Sequence, residues 1–167
     1  MIRHFTSTGI VVHGDSILVH WHRKVGEWLA PGGHIEPNED PVQATVREVK
    51  EETGFDVRLL PTSPPPDISN LEQIAPPFTV MVEDVFDESH GPHQHIDFIY
   101  FVTPHGPAQT TTGLPPAPDG WHWIDRTSLE SGLRIEAPDG RMLAPPEDVV
   151  KLGIAAIETL ARIDNAD

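Results

Sequence analysis

The chain has no cysteine, a single tyrosine and few basic residues among its 167 amino acids. Without cysteine it can form no disulfide, no thiolate nucleophile and no zinc site built on thiolates. Lysine and arginine total 11 against 26 aspartates and glutamates, so the net charge is −15 with histidine neutral. This charge disfavours nucleic acid and anionic membranes as main partners. It leaves phosphate substrates possible, because bound divalent cations reverse the local field.

Long apolar runs are also missing, since no stretch approaches the roughly 18 residues that a membrane span needs. The first residues, from Met1 to Thr6, lead directly into a strand-like pattern. Its length corresponds to one domain with one buried core. We therefore expect a single domain over residues 1–167, soluble and cytoplasmic, that is a monomer or a homodimer.

The chain does contain a dense acidic segment, in which Glu48, Glu51 and Glu52 occur within five residues. On a helix these three side chains share one face. Like charges at such spacings cost roughly 0.2–0.5 kcal/mol per pair, and the helix dipole disfavours anions near the C-terminus. Taken alone, an acidic helix face is usually only solvated. A bound hard divalent cation is the alternative that would offset the repulsion.

Local signals predict a helix over residues 41–53. Asp40 is a favourable N-cap, Pro41 suits the first helical position, and Gln43 completes a capping-box spacing. Gly54 is the expected C-terminal stop. A mostly apolar stripe should pack on a sheet, about 125° around the helix from the acidic trio. Its members are Val42, Thr45, Val46, Val49 and Thr53.

The wider segment resembles the signature of the Nudix hydrolases. It reads Gly33-x5-Glu39-x7-Arg47-Glu48-Val49-x-Glu51-Glu52-x-Gly54-Phe55. The resemblance implies an α/β fold, a Nudix-type α/β/α sandwich with a mixed β-sheet. It further implies hydrolysis of the pyrophosphate bond of a nucleoside diphosphate linked to another moiety, with Mg²⁺ or Mn²⁺ as cofactor.

The same resemblance assigns roles to individual residues. Glu48 and Glu52 would bind the metal directly, and Glu51 would be a further ligand or would position the attacking water. The backbone carbonyl of Gly32 would bind the same metal. Arg47 is counted with the three glutamates as catalytic, and it would orient them together with Glu39. This agrees with the preference of Mg²⁺ for one or two carboxylates plus substrate phosphates.

Strand patterns surround this helix. Residues 3–13 and 16–23 alternate apolar and polar and are joined by Gly14-Asp15, which predicts a hairpin. A strand over 95–103 is apolar on both faces and should be central. Two proline-rich loops, near 61–77 and 104–118, should border the substrate cleft. Further strands are expected at 28–30, 55–60, 78–86 and 121–124, and a terminal helix from 145 or 147 to 163.

Other residues are weaker candidates for the site. His93, His95 and Asp97 alternate and therefore share a strand face, where we expect the imidazoles to bind phosphate in preference to zinc. Ordinary exposure is the alternative for them. Many Nudix enzymes take one more acidic metal ligand from outside the motif. The candidates for this ligand are Glu83, Asp84, Asp87, Glu88 and Asp97.

Arg23 is a candidate phosphate contact before the motif, with solvated surface charge as the alternative. Asp119, with Trp121 and Trp123, resembles a base-binding segment of nucleotide-cleansing relatives, although tryptophans at this spacing are usually core. One candidate activity is conversion of a nucleoside triphosphate to monophosphate and pyrophosphate. The alternatives are cleavage of ADP-ribose, a dinucleoside polyphosphate or a nucleotide sugar, or a non-catalytic domain that senses a nucleotide.

Overall fold

The computed structural model describes residues 2–63, 68–87, 91–105 and 113–166, with only the backbone of Asp87. As the sequence predicts, strands both precede and follow the motif helix along the chain. The strands are β1 (Arg3–His13), β2 (Ser16–His22), β3 (Glu27–Leu29), β4 (Gly32–His34), β5 (Val57–Leu59), β6 (Thr79–Asp87), β7 (Gly91–Pro104), β8 (Trp121–Asp125), β9 (Ile135–Glu136) and β10 (Met142–Leu143). The helices are α1 (Pro41–Thr53), α2 (Arg126–Ser131) and α3 (Glu147–Asp164).

A mixed sheet forms the middle layer, and its order along the main path is β3-β2-β1-β7-β5. β1 and β7 are parallel over nine residue pairs, from Arg3 opposite Gln94 to Val11 opposite Val102. β4 pairs with β1, β6 with β7 and β8 with β2, all antiparallel. The predicted hairpin forms, with Val12 opposite Ile17. β7 is central, as its two apolar faces predict, because it contacts β1 on one side and β5 and β6 on the other.

Helices cover both faces of this sheet, which confirms the α/β/α sandwich. Successive residues of β1 point to opposite faces. Val11 packs with Val49 of α1 in one apolar cluster, whereas Ile10 packs with Ile157 of α3 in the other. The buried stripe of α1 also contains Ala44, Thr45 and Thr53.

The ends of α1 form as their local signals predict. The carboxylate of Asp40 accepts hydrogen bonds from the backbone N–H groups of Val42 and Gln43, and the Gln43 side chain accepts one from the N–H of Asp40. Gly54 ends the helix in the left-handed region at φ 76°, a conformation that costs glycine little. The orientation of the acidic face is therefore fixed by local contacts at both ends of the helix.

Several short elements differ from the sequence expectations. β7 begins at Gly91, four residues before the predicted strand, because pairing with β6 extends that far. β2 ends at His22, so that Arg23 lies in the following turn. The six-residue helix α2 and the strands β4, β9 and β10 were not expected. None of the described helices is long and apolar enough to cross a membrane.

Candidate active site

Arg47 on α1 connects the carboxylates of the motif. Its guanidinium donates to both carboxylate oxygens of Glu39, at 2.9 Å from Nε and 2.8 Å from Nη2. Nη1 donates to Glu48 at 2.7 Å and to Glu51 at 3.3 Å. Nη2 also donates to the carbonyl of His34. Arg47 therefore contacts Glu51, four residues along the helix, but its bidentate contact with Glu39 is closer and has the geometry of a strong charge-assisted pair.

Glu48 lies against the glycine that begins the motif. Only 16% of its side chain is exposed, and a Cβ atom added to Gly33 would lie 2.6 Å from the carboxylate carbon of Glu48. Since real Cβ atoms do not approach other atoms so closely, any other residue at position 33 would displace this carboxylate. The glycine therefore makes room for an acidic group against bare backbone.

Glu52 is the carboxylate of the motif whose protonation is most perturbed. Its side chain is exposed at the cavity, yet desolvation by the surrounding protein raises its pKa to about 7. The backbone N–H of Gly32 donates to Glu52 at 3.3 Å and opposes this effect, whereas the charges of Glu48 and Glu51 add to it. The carboxylates thus repel one another in the protein without a cation. Such a site gains free energy when a cation binds.

A second acidic group lies on the sheet beside Gly32. Asp97 on β7 is 5% exposed, and it accepts hydrogen bonds from Thr6 at 3.0 Å and Thr8 at 2.7 Å, both on β1. Burial raises its pKa, and the two threonine hydroxyls oppose the rise. Gly32 lies directly against Thr8, because an added Cβ would be 2.7 Å from the Thr8 hydroxyl oxygen. Gly32 contacts both Glu52 and Thr8, and Thr8 donates to Asp97. The carboxylates of α1 and the acidic group on the sheet are therefore neighbours.

Glu83 on β6 joins this second group. Burial raises its pKa to about 7, and the charges of Asp97 and Asp148 contribute in the same direction. Of the five predicted candidates outside the motif, Glu83, Asp84 and Asp97 line the same cavity as Glu52. The side chain of Asp87 and all of Glu88 lie outside the described residues.

The cavity itself has a volume of about 640 Å³. This lies within the range of small-molecule sites. Its lining combines acidic side chains, namely Glu52, Glu83, Asp97 and Asp148, with apolar side chains of the sheet and of α3, among them Ile99 and Leu152. Gly32 and Gly33 form part of its wall. A ligand with a phosphate group and an apolar or aromatic portion would match this combination.

The predicted substrate contacts fall in different places. His95 lines the cavity, and His93 is buried beside it. Arg23 and Asp119 are exposed and are not among the residues that line the cavity, whereas Lys24 is. Trp121 is buried in the core and stacks on His20, whose ring lines the cavity.

Sequence reasoning missed the residues that arrive through strand pairing. Thr6, Thr8 and His4 alternate on β1, and this spacing is the local signal that they share a face with one another. No local signal indicates that His4 pairs with His95 and Thr6 with Asp97, because each partner lies 91 residues further along the chain. Asp148, in the first turn of α3, gave no signal beyond its charge.

The donor set fits Mg²⁺ or Mn²⁺. The acidic side chains near Gly32 and Gly33 supply oxygen donors, which hard divalent cations prefer. Glu48 and Glu52, four residues apart on α1, would hold the metal, and Glu51 is adjacent on the same face. The raised pKa of Glu52 and the position of the Glu48 carboxylate against the bare backbone of Gly33 both agree with a cation bound at this face of α1.

Comparisons with known proteins agree with this geometry. Residues 3–144 match the family model of the NUDIX domain. An RNA pyrophosphohydrolase of Cronobacter sakazakii is 29% identical over 71% of this chain and 67% of its own length. A probable DHNTP pyrophosphohydrolase of Lactococcus lactis is 29% identical over 58% of this chain and 52% of its own length. This chain therefore spans between 28% and 67% of the lengths of the first curated relatives that it matches.

Among solved structures, a hydrolase of the NUDIX family from Clostridium perfringens superposes with a TM-score of 0.69. It is 28% identical in sequence, and the superposition covers 96% of this chain and 99% of that one. The similarity therefore includes α3, which lies beyond the residues that the family model matches.

Proposed function

The chain belongs to the Nudix family of hydrolases, and from this premise we propose that it cleaves the pyrophosphate bond of a nucleoside diphosphate linked to another moiety. One observation carries the proposal. Glu48, Glu51 and Glu52 lie on one face of α1, and the backbone of Gly32 and Gly33 lies against Glu48 and Glu52 at the wall of an acidic cavity. Oxygen donors around bare backbone are suited to hold a divalent cation against phosphates.

Glu48 and Glu52 are the proposed ligands of Mg²⁺ or Mn²⁺. When bound, the metal supplies charge neutralisation of the phosphates and activation of a water molecule. The carbonyl of Gly32 is proposed as a further ligand. The backbone N–H of Gly32 donates to Glu52, so the Gly32 backbone and the Glu52 carboxylate are already in contact.

Arg47 is proposed to orient the carboxylates. It contacts Glu39, Glu48 and Glu51 at once, and 23% of its side chain is exposed. This contact restricts the rotamers of three acidic side chains and reduces their mutual repulsion. Glu51 exposes 60% of its side chain, so water reaches it readily. We assign Glu51 the positioning of the attacking water, or a place among the metal ligands.

Asp97 and Glu83 are the best supported candidates for an acidic ligand outside the motif. Both line the cavity with Glu52, and both have a raised pKa, chiefly through burial. Asp97 is the better positioned of the two, because Thr6 and Thr8 hold it beside Gly32. Two threonine hydroxyls also stabilise its charged form, which is the form that binds metal.

A nucleoside triphosphate that yields a monophosphate and pyrophosphate is our first substrate candidate. The cavity size and the name of one relative, a probable DHNTP pyrophosphohydrolase, support it, whereas the name of the other, an RNA pyrophosphohydrolase, supports the type of reaction but names RNA. The contacts of Arg23 with phosphate and of Asp119 with the base stay predictions. For His93 and His95, a contact with phosphate is the alternative to the metal site that the next subsection proposes. So do the single domain over 1–167, the cytoplasmic location, the monomeric or homodimeric state and the exclusion of nucleic acid.

The test is a substrate panel with Mg²⁺ and with Mn²⁺, in which every product is identified. The panel holds nucleoside triphosphates, ADP-ribose, a dinucleoside polyphosphate, a nucleotide sugar and an RNA with a 5′-triphosphate. Release of pyrophosphate from a free nucleoside triphosphate is the expected result, and AMP with ribose phosphate would indicate ADP-ribose cleavage instead. Preference for the RNA would overturn the exclusion of nucleic acid. Tight binding of nucleotides without turnover of any of them would indicate a sensor domain and contradict the proposal.

A further inference from the structure

Three strands bring four histidines together at one end of the sheet. His4 on β1 is directly opposite His95 on β7 in the parallel pair, and His34 on β4 is opposite Thr6 on β1. His93 lies two residues before His95, so both side chains point to the same face. The centroid of the His4 ring lies 5.2 Å from the ring centroid of His34, 4.9 Å from that of His93 and 6.0 Å from that of His95. We call His4, His34, His93 and His95 the histidine cluster.

The hydrogen bonds of His93 fix which of its ring nitrogens can bind a metal. Nδ1 lies 2.9 Å from the carbonyl oxygen of Gly91, and a carbonyl only accepts, so Nδ1 carries the hydrogen. In the neutral ring Nε2 then presents its lone pair. An outer partner that fixes the tautomer in this way is the usual surrounding of a histidine that binds metal. His93 is only 2% exposed, so this lone pair is held in a protein environment.

The spacing of the nitrogens matches a shared metal ion. Nε2 of His93 lies 3.1 Å from Nε2 of His95, in a hydrogen bond that the His95 N–H donates and the lone pair of His93 accepts. A metal ion would replace this hydrogen bond once the proton of His95 moves to its Nδ1. Two nitrogens bound to one tetrahedral zinc at about 2.0–2.1 Å would be about 3.3 Å apart. His4 supplies a third ring nitrogen, and the ligand atoms of His4, His93 and His95 all lie within 4.8 Å of one another. Small rotations of the rings would bring three nitrogens to one ion.

We propose that His4, His93 and His95 form a second metal site, specific for a transition-metal ion such as Zn²⁺. Three imidazoles suit zinc and its neighbours, whereas Mg²⁺ and Ca²⁺ select oxygen donors. His34 Nε2 lies 3.3 Å from His4 Nδ1 and orients that ring. The charge of −15 on the whole chain favours cation binding without requiring a carboxylate in the cluster.

This site is separate from the carboxylate site on α1. His4 lies four residues from Thr8 along β1, which is about 13 Å in an extended strand, and His95 lies two residues from Asp97 along β7, which is about 7 Å. Both spacings exceed the roughly 3.5–4 Å between two ions that act on one phosphate. The proposal therefore assigns this ion no part in a paired-metal mechanism. It joins the first residues of β1 to those of β7 at the border of the cavity that His95 lines, and this inference does not depend on the proposed hydrolysis.

The experiment is a titration of the whole chain with Zn²⁺, and with Co²⁺ as a spectroscopic probe, while saturating Mg²⁺ occupies the carboxylate site. The wild-type chain should bind one equivalent, with the visible absorption of nitrogen-bound Co²⁺. His95→Gln should weaken binding at least about tenfold, since even loss of an outer partner costs that much. The matched control is His105→Gln, because His105 is exposed and lies outside the histidine cluster. It should bind like the wild type.

Thermal unfolding separates loss of a ligand from loss of the fold. Zn²⁺ should raise the unfolding midpoint of the wild type and of His105→Gln, and it should leave His95→Gln unchanged. His4→Gln, at a partly exposed position, repeats the test if His95→Gln does not fold. Equal Zn²⁺ affinity in the cluster variants and the wild type would overturn the proposal. So would loss of Zn²⁺ binding in Glu52→Gln, or a requirement for His95 in binding of pyrophosphate without metal, which would assign the cluster to phosphate.

Discussion

At the scale of single residues, the site depends on one guanidinium and one bare segment of backbone. Arg47 contacts Glu39, Glu48 and Glu51, and Glu48 occupies space that a side chain at position 33 would fill. The first arrangement reduces the repulsion among the three carboxylates, and the second holds the Glu48 carboxylate against bare backbone. The acidic groups therefore have fixed positions before any metal or substrate binds.

Arg47→Lys should lower metal-dependent turnover at least about tenfold and destabilise the protein by about 1–3 kcal/mol. Lysine keeps the charge, but it cannot repeat the two parallel hydrogen bonds to Glu39 or reach Glu48 and Glu51 at the same time. Steady-state kinetics and urea unfolding measure the two effects. Lys50→Ala is the control, because its ion pair with Asp56 is exposed and contributes at most about 1 kcal/mol. Equal effects of the two substitutions would contradict the orienting role of Arg47.

Glu83→Gln should stabilise the metal-free protein at alkaline pH. The folded pKa of Glu83 is raised to about 7, so its contribution to stability is fully present below the unfolded pKa and is lost as the pH rises towards the folded value. Glutamine removes this penalty, with a gain of about 1–2 kcal/mol near pH 8 after allowance for solvent screening, and a smaller gain near pH 5. Urea unfolding in a chelator measures both values.

The exposed Glu72 provides the matched control for that experiment. Glu72→Gln should change the free energy of unfolding by less than about 0.5 kcal/mol at either pH. A gain for Glu83→Gln that does not change with pH would show that packing or hydrogen bonding causes it, and burial of charge would then be excluded as the reason.

At the scale of elements, α1 is the part that the sequence predicts best. Its caps and its apolar stripe are local, so the boundaries 41–53 can be predicted from Asp40, Pro41 and Gly54 without tertiary information. β4 could not be predicted, because Gly32–His34 becomes a strand only through pairing with Thr6–Thr8. The same limit applies to the second acidic group and to the histidine cluster, which depend on the register between β1 and β7.

Asp40→Ala should destabilise the protein by about 1 kcal/mol, because two backbone N–H groups at the start of α1 lose their acceptor. The affinity for Mg²⁺ should stay within about twofold, since Glu48 is more than two helical turns from the cap. Urea unfolding and a Mg²⁺ titration test this pair of outcomes. Asp125→Ala removes the corresponding cap of α2, which accepts from Ser128, and serves as the comparison. A large loss of Mg²⁺ affinity in Asp40→Ala alone would show that the cap also positions the carboxylates.

At the scale of the whole molecule, negative charge opposes the compact state. The chain carries a net charge of −15, and Glu52, Glu83 and Asp97 line one cavity. Divalent cations bound there would remove part of this repulsion, whereas monovalent salt only screens it. The fold and the metal are therefore expected to be thermodynamically linked.

Mg²⁺ should raise the stability by about 2.7 kcal/mol at a concentration one hundred times its dissociation constant, and a chelator should reverse the effect. Thermal unfolding at several Mg²⁺ concentrations measures the increase. NaCl at matched ionic strength is the control, and it should give a smaller shift because it does not occupy the site. Equal shifts with NaCl and Mg²⁺ would contradict specific binding by the cavity carboxylates.

The most direct test of the central claim is the turnover number of Glu52→Gln in Mg²⁺, measured on the phosphoanhydride that the wild type hydrolyses fastest. Loss of one charged metal ligand should lower this number at least about 100-fold, equivalent to about 2.7 kcal/mol. The unfolding midpoint of the metal-free protein should not fall, because the substitution removes a carboxylate whose pKa is raised to about 7 by burial and by its acidic neighbours. Full activity in a folded Glu52→Gln protein would contradict the assignment of metal-assisted hydrolysis to the acidic face of α1.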